Sequence, residues 1–193
     1  MPLLSTESYN GENYLRKAVE SILNQTFTDF ELIIRDNAST DDTETICRTF
    51  AAQDSRILYI RDNQNRGAAH NYNQVFLQAS GKYFRWAAHD DILAESNIER
   101  CFNYLEAHPS VVLCYPKTLI IDKHGNITSF YDDDMNLLDD DPVTRLKKFW
   151  LRHAAECNAV FGLIRSDALR RTRLIGAYNS SDYITLANLV GQI

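Results

Sequence analysis

Over the first 110 residues, apolar positions at helical spacing alternate with short apolar runs bounded by polar turns. The opening "PLLSTESYN" predicts a short strand ending at the turn Asn10-Gly11. Leu15, Ala18, Val19 and Ile22 then mark one face of an amphipathic helix over residues 12–25. In "FELIIRD", Leu32, Ile33 and Ile34 are unbroken by polar residues, the pattern of a strand covered on both faces. Ser39, with Asp42 three residues on, reads as a capping signature for a helix striped by Thr43, Ile46, Cys47 and Phe50. "RILYIR" predicts a third strand. Ala68, Tyr72, Val75, Phe76 and Ala79 predict a helix closed by Gly81, and "KYFRWAA" a fourth strand. Ile98, Cys101, Phe102 and Leu105 stripe a helix that Pro109 terminates. Strand and helix in this rhythm imply parallel strands with helical crossovers, a doubly wound sheet with helices on both faces.

The rhythm changes after residue 110. "SVVLCYP" and "TLIID" predict strands, and "DKHGNITSFY" a hairpin around His124-Gly125-Asn126. The acidic runs Asp132–Asp134 and Asp139–Asp141 read as solvated loop. Asp141-Pro142 opens a helix, with proline at the first position, where its missing N–H costs nothing. "VFGLIR" is a further strand, "SDALRRT" a short helix, and the end from Ser181 is helical. No repeat or flexible linker divides the chain. The expectation is one domain, with residues 1–110 as a nucleotide-type half and residues 111–193 as a more irregular half with an antiparallel hairpin.

Composition narrows the function more than the fold. With 193 residues, 45% hydrophobic and 24% charged, the chain has the make-up of an ordinary soluble domain with a sizeable core. A formal net charge of −6 argues against nucleic acid as a partner. No apolar run approaches the roughly 20 residues that span a bilayer, and no signal peptide follows Met1. These leave a cytoplasmic setting, with peripheral membrane contact open. Cys47, Cys101, Cys114 and Cys157 are widely spaced with no histidine at ligand spacing, so they read as reduced core thiols apart from the chemistry.

Polar residues gather where the strands end: Tyr9 and Asn10, Asp36 and Asn37, Asn65 to Asn71, Asp90 and Asp91. Open parallel sheets bind ligands at those ends. No G-x-G-x-x-G or G-x-x-x-x-G-K-[ST] cradle occurs among the seven glycines, so a nucleotide diphosphate needs another counter-charge. Mg2+ or Mn2+ on Asp90 and Asp91 would supply it, because both ions take hard oxygen ligands and few of them from protein. The same polar ends also fit solvated loops.

Four stretches then carry a specific resemblance: "SYNGENYLRKAVESILNQTFTDFELIIRDNASTDDT" with its Tyr-Asn, "SILNQTF" and "NASTDDT" features; "NRGAAHNYNQ"; the strand running into "HDD"; and "ECNAVFGLIRSDALRRTRLIGAYNSSD". In this order they resemble bacterial family-2 glycosyltransferases, inverting enzymes of the Rossmann-related GT-A fold. The resemblance implies that Asp36 bonds the base of a sugar nucleotide, usually uracil, and that Ser8 and Tyr9 line the nucleoside pocket. It implies nucleotide contacts from Asn37, Asn65, His70 and Asn71, a metal at Asp90 with Asp91 beside it, and a general base at Asp182. The implied partners are a nucleotide-sugar donor and a sugar or lipid-linked acceptor.

Three departures from the family's pattern stand out. Ala88 replaces the first aspartate of the D-x-D motif, with His89 between it and Asp90; imidazole suits magnesium poorly, so His89 reads as a donor-sugar or outer-sphere contact. His70 stands where many members carry arginine, and Glu7 where proline is common. Little chain follows Asp182, where the family usually continues through further helices, and the terminal helix carries an apolar stripe of Tyr183, Leu186, Ala187 and Val190 that would favour pairing with another chain. The resemblance also implies a mobile loop that excludes water, for which residues 131–141 are the candidate. Ala88 and the early end support a second reading, a catalytically silent sugar-nucleotide-binding or assembly module.

Overall fold

The computed structural model describes residues 2–131, 135–152 and 157–192, with the side chains of residues 2–7 and 152 left aside. The unbroken apolar run becomes β2 (Glu31–Asp36), whose Leu32, Ile33 and Ile34 are almost fully buried. Adjacent side chains of a strand point to opposite faces. Leu32 and Ile34 accordingly pack with Leu15, Val19 and Ile22 of α1 (Leu15–Leu23) and Ile46, Cys47 and Phe50 of α2 (Thr43–Gln53). Ile33 packs on the other side with Val75 and Phe76 of α3 (Ala68–Gln78). Helices therefore cover both faces, as the sequence pattern predicts.

The main sheet runs β3 (Ile57–Arg61), β2, β1 (Pro2–Ser8), β4 (Tyr83–Ala87), β8 (Leu163–Arg165), β5 (Leu113–Cys114). β1 pairs in parallel with β2 and β4, and β2 with β3. β8 runs antiparallel to both of its neighbours, a direction the strand-helix rhythm did not announce. The predicted hairpin forms a separate two-stranded sheet, β6 (Thr118–Ile121) with β7 (Ile127–Tyr131), and Gly125 takes a φ of +90° at its turn. The remaining helices are α4 (Asn97–Ala107), α5 (Pro142–Arg152), α6 (Ser166–Arg170) and α7 (Ser181–Val190), with a 3-10 turn at Asn158–Phe161. This mixed α/β arrangement is a GT-A-like, mostly parallel, doubly wound sheet with a small antiparallel element.

Chain direction across the sheet reverses at β1, since β2 and β3 lie to one side and β4 to the other. That reversal opens a crevice at the carboxyl ends of β1 and β4. β4 is buried along its whole length, and Trp86 anchors it through an edge-on contact with Tyr72 and an indole N–H donated to the Tyr72 carbonyl at 3.0 Å. Fully burying side chains such as Phe84 and Trp86 stabilises by about 2–3 kcal/mol each.

The "SILNQTF" block has a structural task. Gln25 is 3% exposed; its amide nitrogen donates to the Ser21 and Ala94 carbonyls at 3.0 and 2.8 Å, and its oxygen accepts the Ile98 N–H at 3.0 Å. Ser21 Oγ accepts the Leu93 N–H, and the Thr26 N–H donates to the Glu95 carbonyl. The end of α1 thus pins residues 93–98, which follow the Asp90-Asp91 pair.

Two local readings are revised. Ser39 and Asp42 do not form a capping box: Ser39 Oγ accepts the Asn10 N–H at 3.0 Å, and the Thr43 N–H is held by Asp41 at 3.1 Å. The run Asp139–Asp141 is more than solvated loop, because Asp139 pairs with Lys148 and Asp141 caps α5 through the Thr144 N–H at 2.9 Å. Asp132–Asp134 lie outside the described residues, as does part of the predicted mobile loop; Met135 and Leu137 pack against the core.

Candidate functional site

The parallel register brings Ser8, Asp36 and Arg61 into line at the ends of β1, β2 and β3. Asp36 is fully buried: one carboxylate oxygen accepts the Ser39 N–H at 2.8 Å, the other the Tyr59 hydroxyl at 2.9 Å, with Arg61 Nε 3.7 Å away. Burial first, and then the Asp36 carboxylate, push the Tyr59 hydroxyl well above its ordinary range. Arg61 also bonds Glu44 and the Ser39 carbonyl, so a negative charge placed in the interior is paired and hydrogen-bonded.

The loops after β1 and β2 are stitched together by their own polar atoms. The Gly11 N–H donates to Thr43 Oγ1 at 2.8 Å, the Thr40 N–H to Asn10 Oδ1 at 2.9 Å, and the Asp42 N–H to Glu12 at 3.0 Å. Asn10 and Ala38 take positive φ angles of 53° and 62° within this knot. The loop after β3 joins it: Asn37 donates to Asn65 Oδ1 at 2.9 Å and accepts the Arg66 N–H at 3.0 Å. Asn71, fully buried, donates to the Arg35 carbonyl.

Two buried oxygens face this region with no hydrogen-bond partner among the described residues, Ser8 Oγ and Asn71 Oδ1. Unpartnered buried polar atoms are uncommon and mark sites where a ligand or water completes the bonding. The absence of a side chain at Gly11 lets His89 approach, because a Cβ there would stand 2.7 Å from Ser8 Oγ and 2.9 Å from His89 Cδ2. Ser8, Gly11 and His89 therefore come together at the ends of the paired strands β1 and β4. Tyr9 is 43% exposed beside them, and His70 is half-buried in the first turn of α3.

Asp90 and Asp91 follow β4 with accessible surface. Although Asp91 as a residue is exposed, desolvation of its carboxyl group by the surrounding chain, and next the charge of Asp90, hold it above the ordinary carboxylate range, against the opposing pull of Arg85 and His89. Among the described residues no third His, Cys, Asp or Glu joins them in a group that could hold a metal ion.

Asp182 occupies a different place. It lies in the first turn of α7, after Ser180 with a φ of +60°, and lines a cavity of about 420 Å3 with Cys157, Asn158, Phe161 and Tyr178. Ala68, Ala69 and Tyr72 of α3 line it as well. None of Ser8, Asp36, His89, Asp90 and Asp91 lines it. Burial first, and then the charge of Asp182, push the Cys157 thiol far above its ordinary value. A larger cavity of about 480 Å3, lined mainly by apolar side chains of residues 111–115, 135–138, Phe149 and Leu189, contains none of the candidate residues.

Sequence reasoning did not anticipate Tyr59 and Arg61 as partners of Asp36, the clamp from Gln25, or Cys157 and Asp182 lining one cavity. A tyrosine two register positions from a strand-end aspartate was a readable signal only once the pairing of β2 with β3 was known.

Residues 6–173 match the family Glycosyl transferase family 2. An uncharacterized glycosyltransferase of Methanocaldococcus jannaschii is 35% identical over 130 residues, which is 65% of this chain and 45% of that protein. Chondroitin synthase of Escherichia coli is 34% identical over 131 residues, 67% of this chain and 19% of that enzyme. In shape the chain resembles S. aureus TarS in complex with UDP-GlcNAc, with a TM-score of 0.76 at 17% identity over 97% of this chain and 53% of that one. It also resembles the mannosyltransferase PcManGT of Pyrobaculum calidifontis in complex with GDP-Man and Mn2+, with a TM-score of 0.68 at 17% identity over 97% and 51%. The chain spans less than half the length of the first of these relatives. Likeness of shape at such low identity carries the fold alone, but the match over residues 6–173 carries more: this chain belongs to glycosyl transferase family 2.

Proposed function

We propose that the chain transfers a sugar from a nucleoside-diphosphate sugar, a UDP-sugar by preference, to an acceptor hydroxyl with inversion, in the synthesis of a surface polysaccharide or glycolipid. The observation that supports this reading is the reversal of strand order at β1: there Gly11 leaves room for Ser8 and His89, the residue before the Asp90-Asp91 pair, to come close together, and the Asn37 N–H, next to Asp36, donates to the Ser8 carbonyl. Residues 1–110 hold the donor and residues 111–193 the acceptor, in one domain working in the cytoplasm or at a membrane face. Among the described residues no helix is long and apolar enough to cross a membrane.

Asp182 accepts the acceptor's hydroxyl proton as that oxygen attacks the anomeric carbon and the bond to the nucleoside diphosphate breaks. A carboxylate is a weak base for an alcohol, so proton transfer runs late and in concert with attack. Asp36 keeps the base pocket in shape through Ser39 and Tyr59, while Ser8, Tyr9, Asn37, Asn65, His70 and Asn71 frame the nucleotide. Asp90 and Asp91 offer hard carboxylate oxygens whose mutual repulsion a cation would relieve, and they would hold Mg2+ or Mn2+. Bound there, such an ion would supply positive charge against the leaving diphosphate.

The test is release of nucleoside diphosphate from a panel of UDP- and GDP-sugars, with and without Mn2+, beside thermal shifts of wild type and Asp90→Ala. Stabilisation by UDP that needs Mn2+ and vanishes in Asp90→Ala supports the reading. Equal stabilisation in that variant removes the metal role of Asp90. Ala88 in place of a D-x-D aspartate favours a second reading, a silent nucleotide-sugar-binding or assembly module, which metal-dependent binding of UDP without turnover of any donor would establish.

A further inference from the structure

The cavity that holds Asp182 has an aromatic wall to which the transfer reaction above gives no task. Tyr178, on the loop between α6 and α7, lines it and is 58% exposed. Its ring does not hang free. A Cβ at Gly176 would stand 2.2 Å from Tyr178 Cε1 and 2.8 Å from both Cδ1 and Cζ, so the ring lies against the bare backbone of Gly176. Gly176 lies outside the left-handed region, so its own backbone makes no demand for glycine. The ring makes that demand.

The loop beneath the ring is tied down at its start. The Asn73 side chain of α3 donates to the Ile175 carbonyl at 2.8 Å and accepts the Ile175 N–H at 3.0 Å. The Thr185 hydroxyl of α7 donates to the Leu174 carbonyl at 2.9 Å. Tyr178 is therefore a supported aromatic surface on a fixed loop.

The same cavity sets apolar and polar groups side by side: Phe161 with Tyr178, and Asn158 and Asn179 with Asp182. The Asn158 amide nitrogen has no hydrogen-bond partner among the described residues, which leaves a donor uncommitted. The volume of about 420 Å3 suits a small molecule. A pyranose ring has the matching character, with C–H groups on its faces and hydroxyls around its edge. The electron-rich face of a tyrosine attracts C–H groups, while amides and a carboxylate bond the hydroxyls. A plain alkyl alcohol has one hydroxyl and would leave the amides unpaired, at a cost in affinity.

We propose that this cavity is a sugar subsite: the acceptor's pyranose lays a C–H face on Tyr178 and turns a hydroxyl toward Asp182, with Asn158 and Asn179 bonding its other hydroxyls. This names the acceptor as a carbohydrate and rests on the transferase reading, and the experiment reads binding apart from transfer. The probes are methyl and octyl β-glycosides of glucose, galactose and N-acetylglucosamine, with octanol as the sugar-free control. Each is added to the full chain with and without UDP and Mn2+, and saturation-transfer NMR identifies the ligand protons that touch protein. At least one glycoside should receive saturation at its ring C–H protons. Its affinity should fall about fivefold in Tyr178→Ala and recover most of that loss in Tyr178→Phe. Gly176→Ala, which fills the space under the ring, should weaken it too; if that variant fails to fold, Tyr178→Ala against Tyr178→Phe decides.

A methyl glycoside that binds as tightly as its octyl partner identifies the end of a saccharide chain, and tighter octyl binding identifies a glycolipid head. Both support the subsite when Tyr178→Ala weakens them. Equal glycoside affinity in wild type and Tyr178→Ala overturns the proposal, as does binding of octanol alone or of no probe under either condition. Glycoside binding that depends on Tyr178, with no nucleotide sugar turned over, keeps the subsite and removes the transferase reading. Transfer to octanol at the same rate in wild type and Tyr178→Ala keeps the transferase reading and removes the subsite.

Discussion

The nucleotide-side loops and the wall of the second cavity are built on opposite plans. Around Asp36, three loops exchange backbone and side-chain hydrogen bonds, the charge at the centre is held by Ser39, Tyr59 and Arg61, and Ser8 Oγ and Asn71 Oδ1 are the buried atoms left open there among the described residues. Around Asp182, the wall is made largely of Ala68, Ala69, Tyr72, Phe161 and Tyr178, and the adjoining Asn158 nitrogen is left unpartnered among the described residues. A region that must recognise a rigid, planar base gains from a preorganised frame. A region that must first admit an acceptor and then take a proton from it keeps its polar atoms uncommitted. The difference says that damage to the first region should appear as lost stability, and damage to the second as lost turnover with the fold intact.

The widest separation is expected at the two aspartates. Asp182→Asn should cut turnover by roughly 10²–10⁴-fold, the usual worth of a general base, with UDP affinity and melting temperature near wild type. A large fall in melting temperature instead would place Asp182 among the structural carboxylates. Asp36→Asn should cost about 2–4 kcal/mol of stability in denaturant titrations, because it leaves the Tyr59 hydroxyl and Arg61 without their buried charge. An Asp36→Asn chain as stable as wild type, with weaker UDP binding, would move Asp36 out of the framework and into direct ligand contact alone.

Gln25→Ala should follow at about 1–3 kcal/mol, since it strips partners from the Ile98 N–H and the Ala94 carbonyl under the Asp90-Asp91 turn. If Gln25 fixes that turn, metal-dependent UDP binding should weaken too. pH then sharpens the contrast further. Burial, and after it the Asp36 and Asp41 charges, push the Cys47 thiol up to about 12. The folded chain therefore keeps this proton through a range where the unfolded chain loses it. Cys47 should lower stability progressively as pH rises from about 8.5 toward 12, and should resist alkylation at pH 8 in the native state. Rapid native labelling of Cys47 would mean that the nucleotide-side core opens more readily than its bonding suggests.

The smallest effect is expected at Ala38, whose φ of +62° is costly for a residue with a Cβ. Ala38→Gly should change stability by less than about 1 kcal/mol, with relief of strain set against the added freedom of the unfolded chain.

Much of this was legible in the residues themselves. The uninterrupted Leu32-Ile33-Ile34 run announced a doubly covered strand, and the stripes of α1, α2, α3 and α4 announced the helices, because burial imposes periods of 2 and 3.6 on apolar positions. The family resemblance likewise rests on short polar blocks that a linear reading detects. The reversed direction of β8 was not legible: a strand of three residues, Leu163–Arg165, carries no periodicity from which to infer its neighbour or direction. Nor was the fate of Ser39, whose hydroxyl could equally have capped α2 or bonded Asn10, twenty-nine residues away.

By itself the sequence determined the alternation of elements, the position of polar residues at strand ends, and the identity of the family. Each of these depends on local pattern, which covalent order preserves. Only the tertiary structure decided what each polar group touches. It seated Asp36 beneath Tyr59 and Arg61 rather than in open solvent, turned "SILNQTF" into a clamp on the segment after Asp91, and set Asp182 on one cavity with Ala68, Ala69 and Tyr72 of α3. Hydrogen bonds and desolvation act over a few ångströms of space, and distance along the chain does not say which groups will share them.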